Sequence, residues 1–150
     1  MKRKKPLGRK PPQKKGVKRP KATSEKSLRA RADKVAGSWF RAYGRCVACG
    51  EGSFACDQVI QWCHIVRRGC RLIRHDPRNA LPMCRSHHVW FTHRPELWYT
   101  FVERLDPGRL QLLVDVDTAR SGERLVDVYQ GYLDWYAAHE SYEGWDGWLH

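Results

Sequence analysis

The sequence predicts an α+β fold in which a small cysteine-rich finger is flanked by helices and preceded by a basic tail. All six cysteines and five of the seven histidines lie between Cys46 and His93. Apolar residues with helical spacing lie on both sides of this window, and short β-prone runs lie inside it. Positions 1–21 hold eleven Lys or Arg residues and no acid. The chemistry of the chain is therefore expected in the window.

Length and composition limit the classes of protein to consider. A chain of 150 residues allows one domain of ordinary size with tails. It has no run of about 18 apolar residues, so no membrane helix and no membrane partner are expected. Positions 1–21 lack the apolar stretch of a secretory signal, which predicts a cytoplasmic location. In that reducing compartment, cysteines indicate metal binding or burial rather than disulfides.

The net charge of +12 is unevenly distributed. Residues 22–100 hold 13 basic and 6 acidic side chains, whereas residues 101–150 hold 4 and 10. A basic tail and a basic centre suit a polyanion such as nucleic acid. Residues 1–22 have little to bury and are predicted to be disordered. They are interpreted as an arm that contacts phosphates, with a solubility tail as the alternative.

Three regions follow from these patterns. They are a disordered basic tail (1–22), a finger with flanking helices (23–105) and a C-terminal helical and acidic extension (106–150). The predicted elements are a helix from Thr23 or Ser24 to Gly44, a strand region from Phe54 to Ile65, a short strand from Arg71 to Arg74, a helix after Pro82, a helix from Glu96 to Leu105 and a helix from Glu123 to His139. Residues 110–116 fit helix and strand equally.

Two short pairs have the spacing of metal ligands. Cys46 and Cys49 are three residues apart on a predicted turn, and Cys84 and His87 are three apart at a predicted helix start. Zinc takes four nitrogen or sulfur ligands in a tetrahedron, so these four residues predict a structural Zn²⁺ site. His88 is an alternative to His87 at the fourth position. The other cysteines are unpaired, and burial or surface exposure is expected for them: Cys56, Cys63 and Cys70.

The finger resembles a known family. The order Cys-x2-Cys, His-Ile-Val, Asn and Cys-x2-His-His is similar to the zinc-knuckle subgroup of the HNH (His-Me finger) endonucleases. The segment CHIVRRG…RLIRHDPRNALPMCRSHHVWFTHRP is similar to the corresponding segment of phage lambda NinG-like recombination proteins. The resemblance covers about residues 24–105.

The resemblance implies a ββα-metal, treble-clef-like finger that hydrolyses DNA with one divalent ion, Mg²⁺, Mn²⁺ or Ni²⁺. It implies His64 as general base, Asn79 as the residue that orients the loop or His64, and His88 as the catalytic-metal ligand. The interval from Asn79 to His88 is the family's usual one, which assigns His87 to zinc. A neutral imidazole can accept a proton from water at cell pH, so these residue types fit the reaction.

Two further features bear on the site. Arginines near the predicted hairpin are candidate phosphate contacts or simply a solvated basic face: Arg67, Arg68, Arg71 and Arg74. Cys63 stands where many family members have Asp or His as a second ligand of the catalytic metal, and a neutral thiol is a poor ligand for Mg²⁺. His93, Asp76 or water could replace it, the enzyme could prefer a softer metal, or activity could be weak.

Two functions are consistent with these sequence features. The first is a metal-dependent DNA endonuclease of phage or prophage recombination or DNA processing, in the host cytoplasm if phage-encoded, with branched DNA among its candidate substrates. The alternative is a non-catalytic zinc finger that binds nucleic acid or acts as an adaptor. Only the first explains why His64, Asn79 and His88 occur in the family's order.

Overall fold

The computed structural model describes residues 23–139. The predicted basic tail and the aromatic C-terminal segment lie outside these residues. Five helices and two strands are present in the described part: α1 (Glu25–Ala42), β1 (Ile60–His64), β2 (Ala80–Cys84), α2 (Arg85–Thr92), α3 (Pro95–Leu105), α4 (Arg109–Ala119) and α5 (Leu125–Ala138), with a 3-10 turn over Pro77–Asn79. The mixture of helices with a small sheet agrees with the α+β prediction.

Helix α1 forms where its capping signal predicted. Ser24 is the N-cap, and its hydroxyl accepts a hydrogen bond from the amide of Ser27. The buried face comprises Leu28, Ala32, Ala36, Gly37, Trp39 and Phe40. Val35 is 37% exposed, whereas its neighbour Ala36 is fully buried. This face packs on α5 and β1 and forms one side of the core.

The two strands form an antiparallel hairpin in which Ile60 pairs with Cys84 and His64 with Ala80. Residues 71–74 are a turn rather than the predicted second strand. Two of their carbonyls accept hydrogen bonds from side chains rather than from a neighbouring strand. The carbonyl of Leu72 accepts from the hydroxyl of Tyr132, and that of Ile73 accepts from Nδ2 of Asn79. The second strand is instead Ala80–Cys84, and all five of its residues are buried.

Pro82 lies inside β2 rather than just before a helix. Its carbonyl accepts a hydrogen bond from the amide of Val47 at 3.0 Å, which ties the 46–50 turn to the hairpin. Helix α2 begins three residues later, at Arg85, with Cys84 as its N-cap. The end of β2, the start of α2 and the 46–50 turn therefore meet at one place.

The remaining helices complete a single core. Pro95 begins α3 as predicted, but Trp98, Phe101 and Val102 form its buried face, and Leu97 is 44% exposed. Residues 110–116, unassigned from sequence, belong to α4. Helix α5 confirms the helix predicted from residue 123 and buries Tyr129, Tyr132 and Tyr136 among others. These side chains share one apolar cluster with α1 and the hairpin.

Candidate active site and metal cluster

Ligand atoms from three separate segments converge beside the start of α2. They belong to Cys46, Cys56, Cys84 and His87 and lie within 4.8 Å of one another. From Nδ1 of His87, the sulfur of Cys84 is 2.9 Å away, that of Cys46 3.6 Å and that of Cys56 3.7 Å. Three thiols and one imidazole are a ligand set that zinc takes in structural sites. This cluster could hold a metal ion.

The surroundings of His87 suit a metal ligand. Its ring is fully buried, and Nε2 donates a hydrogen bond to the carbonyl of Glu51 at 2.8 Å. That bond leaves the lone pair of Nδ1 directed at the sulfurs. Burial raises the pKa of the Cys84 thiol, but a hydrogen bond from the amide of His87 and the close contact with its ring lower that pKa to about 7. The donor chemistry therefore fits a bound cation.

The cluster differs from the expected quartet at one position. Cys49 is exposed and is not among the converging ligands, whereas Cys56 is. Cys49 sits on the tight turn that begins at Cys46, where Gly50 has a φ of 97°. The chain then returns through residues 51–56 and brings Cys56 to the cluster. Cys56 has no partner at short spacing, so the sequence offers no local signal for it.

His64 ends β1 with both ring nitrogens engaged. Nε2 donates to the carbonyl of Arg74 at 3.0 Å, so Nδ1 is the acceptor, and it receives a hydrogen bond from Nε of Arg68 at 3.3 Å. A backbone carbonyl, rather than the side chain of Asn79, therefore holds the ring of His64. Burial and the charge of Arg68 lower the pKa of His64 to about 3. The imidazole is therefore neutral at physiological pH.

His88 lies on α2 and shares a pocket of about 160 Å³ with His64. Nδ1 of His88 donates to Oε1 of Gln61 at 2.8 Å, which leaves the lone pair on Nε2. Burial and the charge of Arg68 lower the pKa of His88. Arg67, Thr92 and Tyr99 also line the pocket. Two neutral imidazoles, each oriented by one fixed hydrogen bond, therefore face one small space.

Asn79 is fully buried and joins the two ends of the 66–73 loop. Its Oδ1 accepts from the amide of Val66 at 2.7 Å, and its Nδ2 donates to the carbonyls of Val66 and Ile73. No hydrogen bond from Asn79 to His64 is found among the described residues. Of its two expected roles, the geometry favours orientation of the loop.

The four candidate arginines divide into two pairs. Arg71 forms an ion pair with Glu25, and Arg74 forms a bidentate ion pair with Asp33. Within residues 23–139, neither Arg67 nor Arg68 has a carboxylate partner, and both are exposed. Arg67 and Arg68 thus remain available to an anion, whereas Arg71 and Arg74 already hold α1 against the loop.

The second ligand of a catalytic metal is not evident in the described part of the chain. Cys63 lines the pocket, but burial raises the pKa of its thiol to about 12, which keeps it protonated. His93 is exposed at the end of α2 and does not line the pocket. Asp76 is bound by Arg78 and Tyr132 and lines a different pocket. His88 is the one clear ligand that the pocket offers.

Residues 46–94 match the family model described as HNH endonuclease. The matched segment contains the Cys/His cluster, the hairpin and the two pocket histidines, and the match indicates nuclease activity on nucleic acid. No curated protein and no solved structure matches the chain.

The HNH segment does not contain every element that touches the site. Helices α1, α3, α4 and α5 lie outside residues 46–94. Two of these helices, α1 and α5, bond to the loop that holds His64. No helix in the described range 23–139 is long and apolar enough to cross a membrane.

Proposed function

We propose that this chain is a metal-dependent endonuclease that hydrolyses DNA phosphodiester bonds, with His64 as general base. The observation that carries the proposal is the placement of His64 and His88 in one pocket. Each imidazole has one nitrogen fixed by a hydrogen bond and the other nitrogen as an acceptor. This arrangement lies inside the segment that matches the HNH endonuclease model.

His64 would accept the proton of the attacking water at Nδ1. Its Nε2–H stays bonded to the carbonyl of Arg74, which would stabilise the imidazolium that forms. Arg68 now donates to Nδ1, so it must move before water can approach that atom. The phosphate of a bound DNA strand is a stronger acceptor for a guanidinium than a neutral imidazole is. Substrate binding would therefore uncover the base.

His88 would hold the catalytic divalent ion through Nε2. When bound, such an ion neutralises charge that builds on the scissile phosphate and its leaving oxygen. Imidazole suits Ni²⁺ better than Mg²⁺, which prefers carboxylate oxygens. The pocket lining contains no Asp or Glu side chain. Of the three candidate ions, we therefore expect Ni²⁺ or Mn²⁺ to serve better than Mg²⁺.

The second metal would be a structural Zn²⁺ in the cluster of Cys46, Cys56, Cys84 and His87. It would join the 46–50 turn, the returning loop and the start of α2, which together support the hairpin. Arg67 and Arg68 would contact the DNA backbone beside the pocket. The basic tail, residues 1–22, would add phosphate contacts that are independent of sequence.

The similarity to phage NinG-like proteins supports a role in phage or prophage recombination or DNA processing, in the cytoplasm of the host. Branched DNA belongs to this proposal as a candidate substrate.

One observation favours the alternative of a non-catalytic zinc finger. The thiol of Cys63 is protonated, and in the described residues His88 has no second protein ligand beside it in the pocket. A finger of this kind would still bind nucleic acid through Arg67 and Arg68. It would cut no DNA with any metal.

The two functions are separated by a cutting assay on the full chain. Supercoiled, nicked, linear and four-way-junction DNAs would each be incubated with Mg²⁺, Mn²⁺ or Ni²⁺. His64→Ala should lower cutting at least about 100-fold, since a general base contributes 10²–10⁴, while zinc content stays the same. His139→Ala, at the exposed end of α5, is the control. Equal cutting by wild type and His64→Ala would remove His64 from the mechanism.

A further inference from the structure

The carbonyl that orients His64 belongs to the peptide between Arg74 and His75. This peptide lies in the 66–79 loop, where turns rather than a strand ladder set the backbone. Its carbonyl accepts from Nε2 of His64 at 3.0 Å. The position of this peptide therefore decides which nitrogen of His64 carries the proton. Side chains that hold the peptide control the base without touching it.

A single carboxylate on α1 holds the residues on both sides of this peptide. Oδ1 of Asp33 accepts from Nε of Arg74 at 2.9 Å and from Nε2 of His75 at 2.8 Å, and Oδ2 accepts from Nη2 of Arg74 at 3.1 Å. His75 is fully buried, so its bond to Asp33 is shielded from water on the histidine side, whereas the side chain of Asp33 is 34% exposed. The peptide whose carbonyl meets His64 thus sits between two side chains bound by one group.

Helix α5 holds the same loop from a different element. The hydroxyl of Tyr136 donates to the carbonyl of His75 at 3.0 Å, and that of Tyr132 donates to the carbonyl of Leu72 at 3.0 Å. Both rings are buried. Neither α1 nor α5 lies in the segment that matches the family model. A buried backbone carbonyl needs a hydrogen-bond partner, so each tyrosine hydroxyl fixes the position of the carbonyl that it binds.

We propose that Asp33 and Tyr136 are positioning residues of the nuclease, and that they hold the 74–75 peptide so that His64 keeps its proton on Nε2 and its lone pair on Nδ1. The inference rests on the proposed function, because only a general base needs a defined tautomer. Helices α1 and α5 are then parts of the active site rather than packing around it. Without these two side chains, the carbonyl of Arg74 is no longer held in one position, and the imidazole of His64 populates both of its neutral tautomers.

The test uses Asp33→Asn and Tyr136→Phe in the full-length chain loaded with zinc. Asparagine keeps the shape of the side chain but offers one acceptor oxygen in place of two, and phenylalanine removes only the hydroxyl. We expect kcat for DNA cutting to fall about tenfold or more, a part of what a general base contributes, while KM for DNA stays the same. Nitrogen NMR of the His64 ring should show a single Nε2–H tautomer in wild type and a mixture in both variants.

The chain supplies a matched control in Glu25→Gln. Glu25 also lies on α1 and also joins it to the loop, through Arg71, but this pair is exposed and is separate from the bonds that Asp33 and Tyr136 make to residues 74 and 75. Glu25→Gln should leave kcat and the tautomer of His64 unchanged.

Two outcomes would overturn the inference. One is an unchanged His64 tautomer and kcat in folded Asp33→Asn and Tyr136→Phe, and the other is an equal loss in Glu25→Gln. If Asp33→Asn does not fold, Tyr136→Phe decides alone. If wild-type protein cuts no DNA, the proposed function fails, and the NMR tautomer still reports whether the two residues orient His64.

Discussion

Nε of Arg68 donates a hydrogen bond to Nδ1 of His64 across 3.3 Å. The nitrogen proposed to accept the proton of water is therefore covered in the free protein. The guanidinium of Arg68 also lies over the ring of Trp62, 5.4 Å from its centroid, which holds the arginine beside the histidine. Arg68 thus has two partners at the pocket, and neither is a carboxylate.

The first prediction concerns Arg68→Ala. Removing this charge should raise the pKa of His64, because the cation disfavours a protonated imidazole. It should also weaken DNA binding and reduce the slope of log affinity against log salt by about one, the effect of one lost phosphate contact. NMR titration of His64 and binding at several salt concentrations measure the two effects.

Arg124→Ala is the control for Arg68→Ala. Arg124 is exposed just before α5 and does not line the pocket. An unchanged titration of His64 in Arg68→Ala would contradict the observed contact. An equal change of salt slope in both variants would mean that Arg68 contacts no particular phosphate.

A second prediction concerns acid stability. The folded pKa of His64, about 3, lies below its ordinary value of about 6.5, so the folded state binds fewer protons than the unfolded state between these values. The neutral ring therefore contributes stability above about pH 6.5 that is lost progressively as pH falls from about 6.5 to about 3. Between pH 7.5 and pH 5, wild type should lose up to about 2 kcal/mol more than His64→Gln. Urea unfolding at both pH values measures this, and equal losses would contradict it.

A third prediction distinguishes Cys56 from Cys49 as the fourth ligand. Cys56→Ser should lower zinc content well below one ion per chain, because its sulfur lies 3.7 Å from Nδ1 of His87. Cys49→Ser should keep one zinc, since Cys49 is exposed and its sulfur is not one of the four ligand atoms that lie within 4.8 Å of one another. Cys70→Ser is the control, and elemental analysis of the purified proteins is the measurement. Zinc lost from Cys49→Ser and kept by Cys56→Ser would restore the quartet expected from spacing.

A fourth prediction concerns metal preference. Wild type should cut DNA faster with Ni²⁺ or Mn²⁺ than with Mg²⁺, because His88 is the clear ligand in the pocket. Cys63→Asp places a carboxylate beside the pocket and should raise the Mg²⁺ rate relative to the Ni²⁺ rate. Cys63→Ser, which adds no charge, should not. A wild-type protein that cuts equally well with all three ions would contradict this account of the ligands.

A fifth prediction concerns Asn79→Ala. The substitution leaves the amide of Val66 and the carbonyls of Val66 and Ile73 without their side-chain partner in a buried loop. We expect the free energy of unfolding to fall by about 3 kcal/mol. Gln130→Ala, which removes an exposed pair with Asp134 on α5, should change it by less than about 0.5 kcal/mol. Similar losses in the two variants, measured in urea, would contradict the loop-fixing role.

Local signals predicted several elements well. Ser24 caps α1, Pro95 begins α3, and residues 125–138 are helical, because each depends on a few neighbouring residues. Strand β2 was missed because Pro82 and a following helix signal made its residues resemble a helix start. The strand forms because Leu81, Met83 and Cys84 are buried, which depends on the rest of the fold.

The residues of the candidate site also fall into those that the sequence predicts and those that only the fold brings together. His64 and His88 could be paired from the family order, and the structure brings both to one pocket. Cys56 could not be found, because it lacks a partner at ligand spacing. Asp33 lies 41 residues before Arg74, and Tyr136 lies 61 residues after His75, so only the folded chain shows that both bind residues next to the peptide that orients His64.

Cys84 has three structural roles: it is the last residue of β2, it is the N-cap of α2, and its sulfur faces Nδ1 of His87 in the cluster. Binding of a zinc ion by Cys84 would therefore be coupled to the formation of the junction between β2 and α2. An ion that binds only the folded chain adds about 2.7 kcal/mol to its stability when free zinc is 100 times the dissociation constant. The concentration of free zinc in the cell would then set how much of the protein is folded, and a chelator would act on it as a denaturant does.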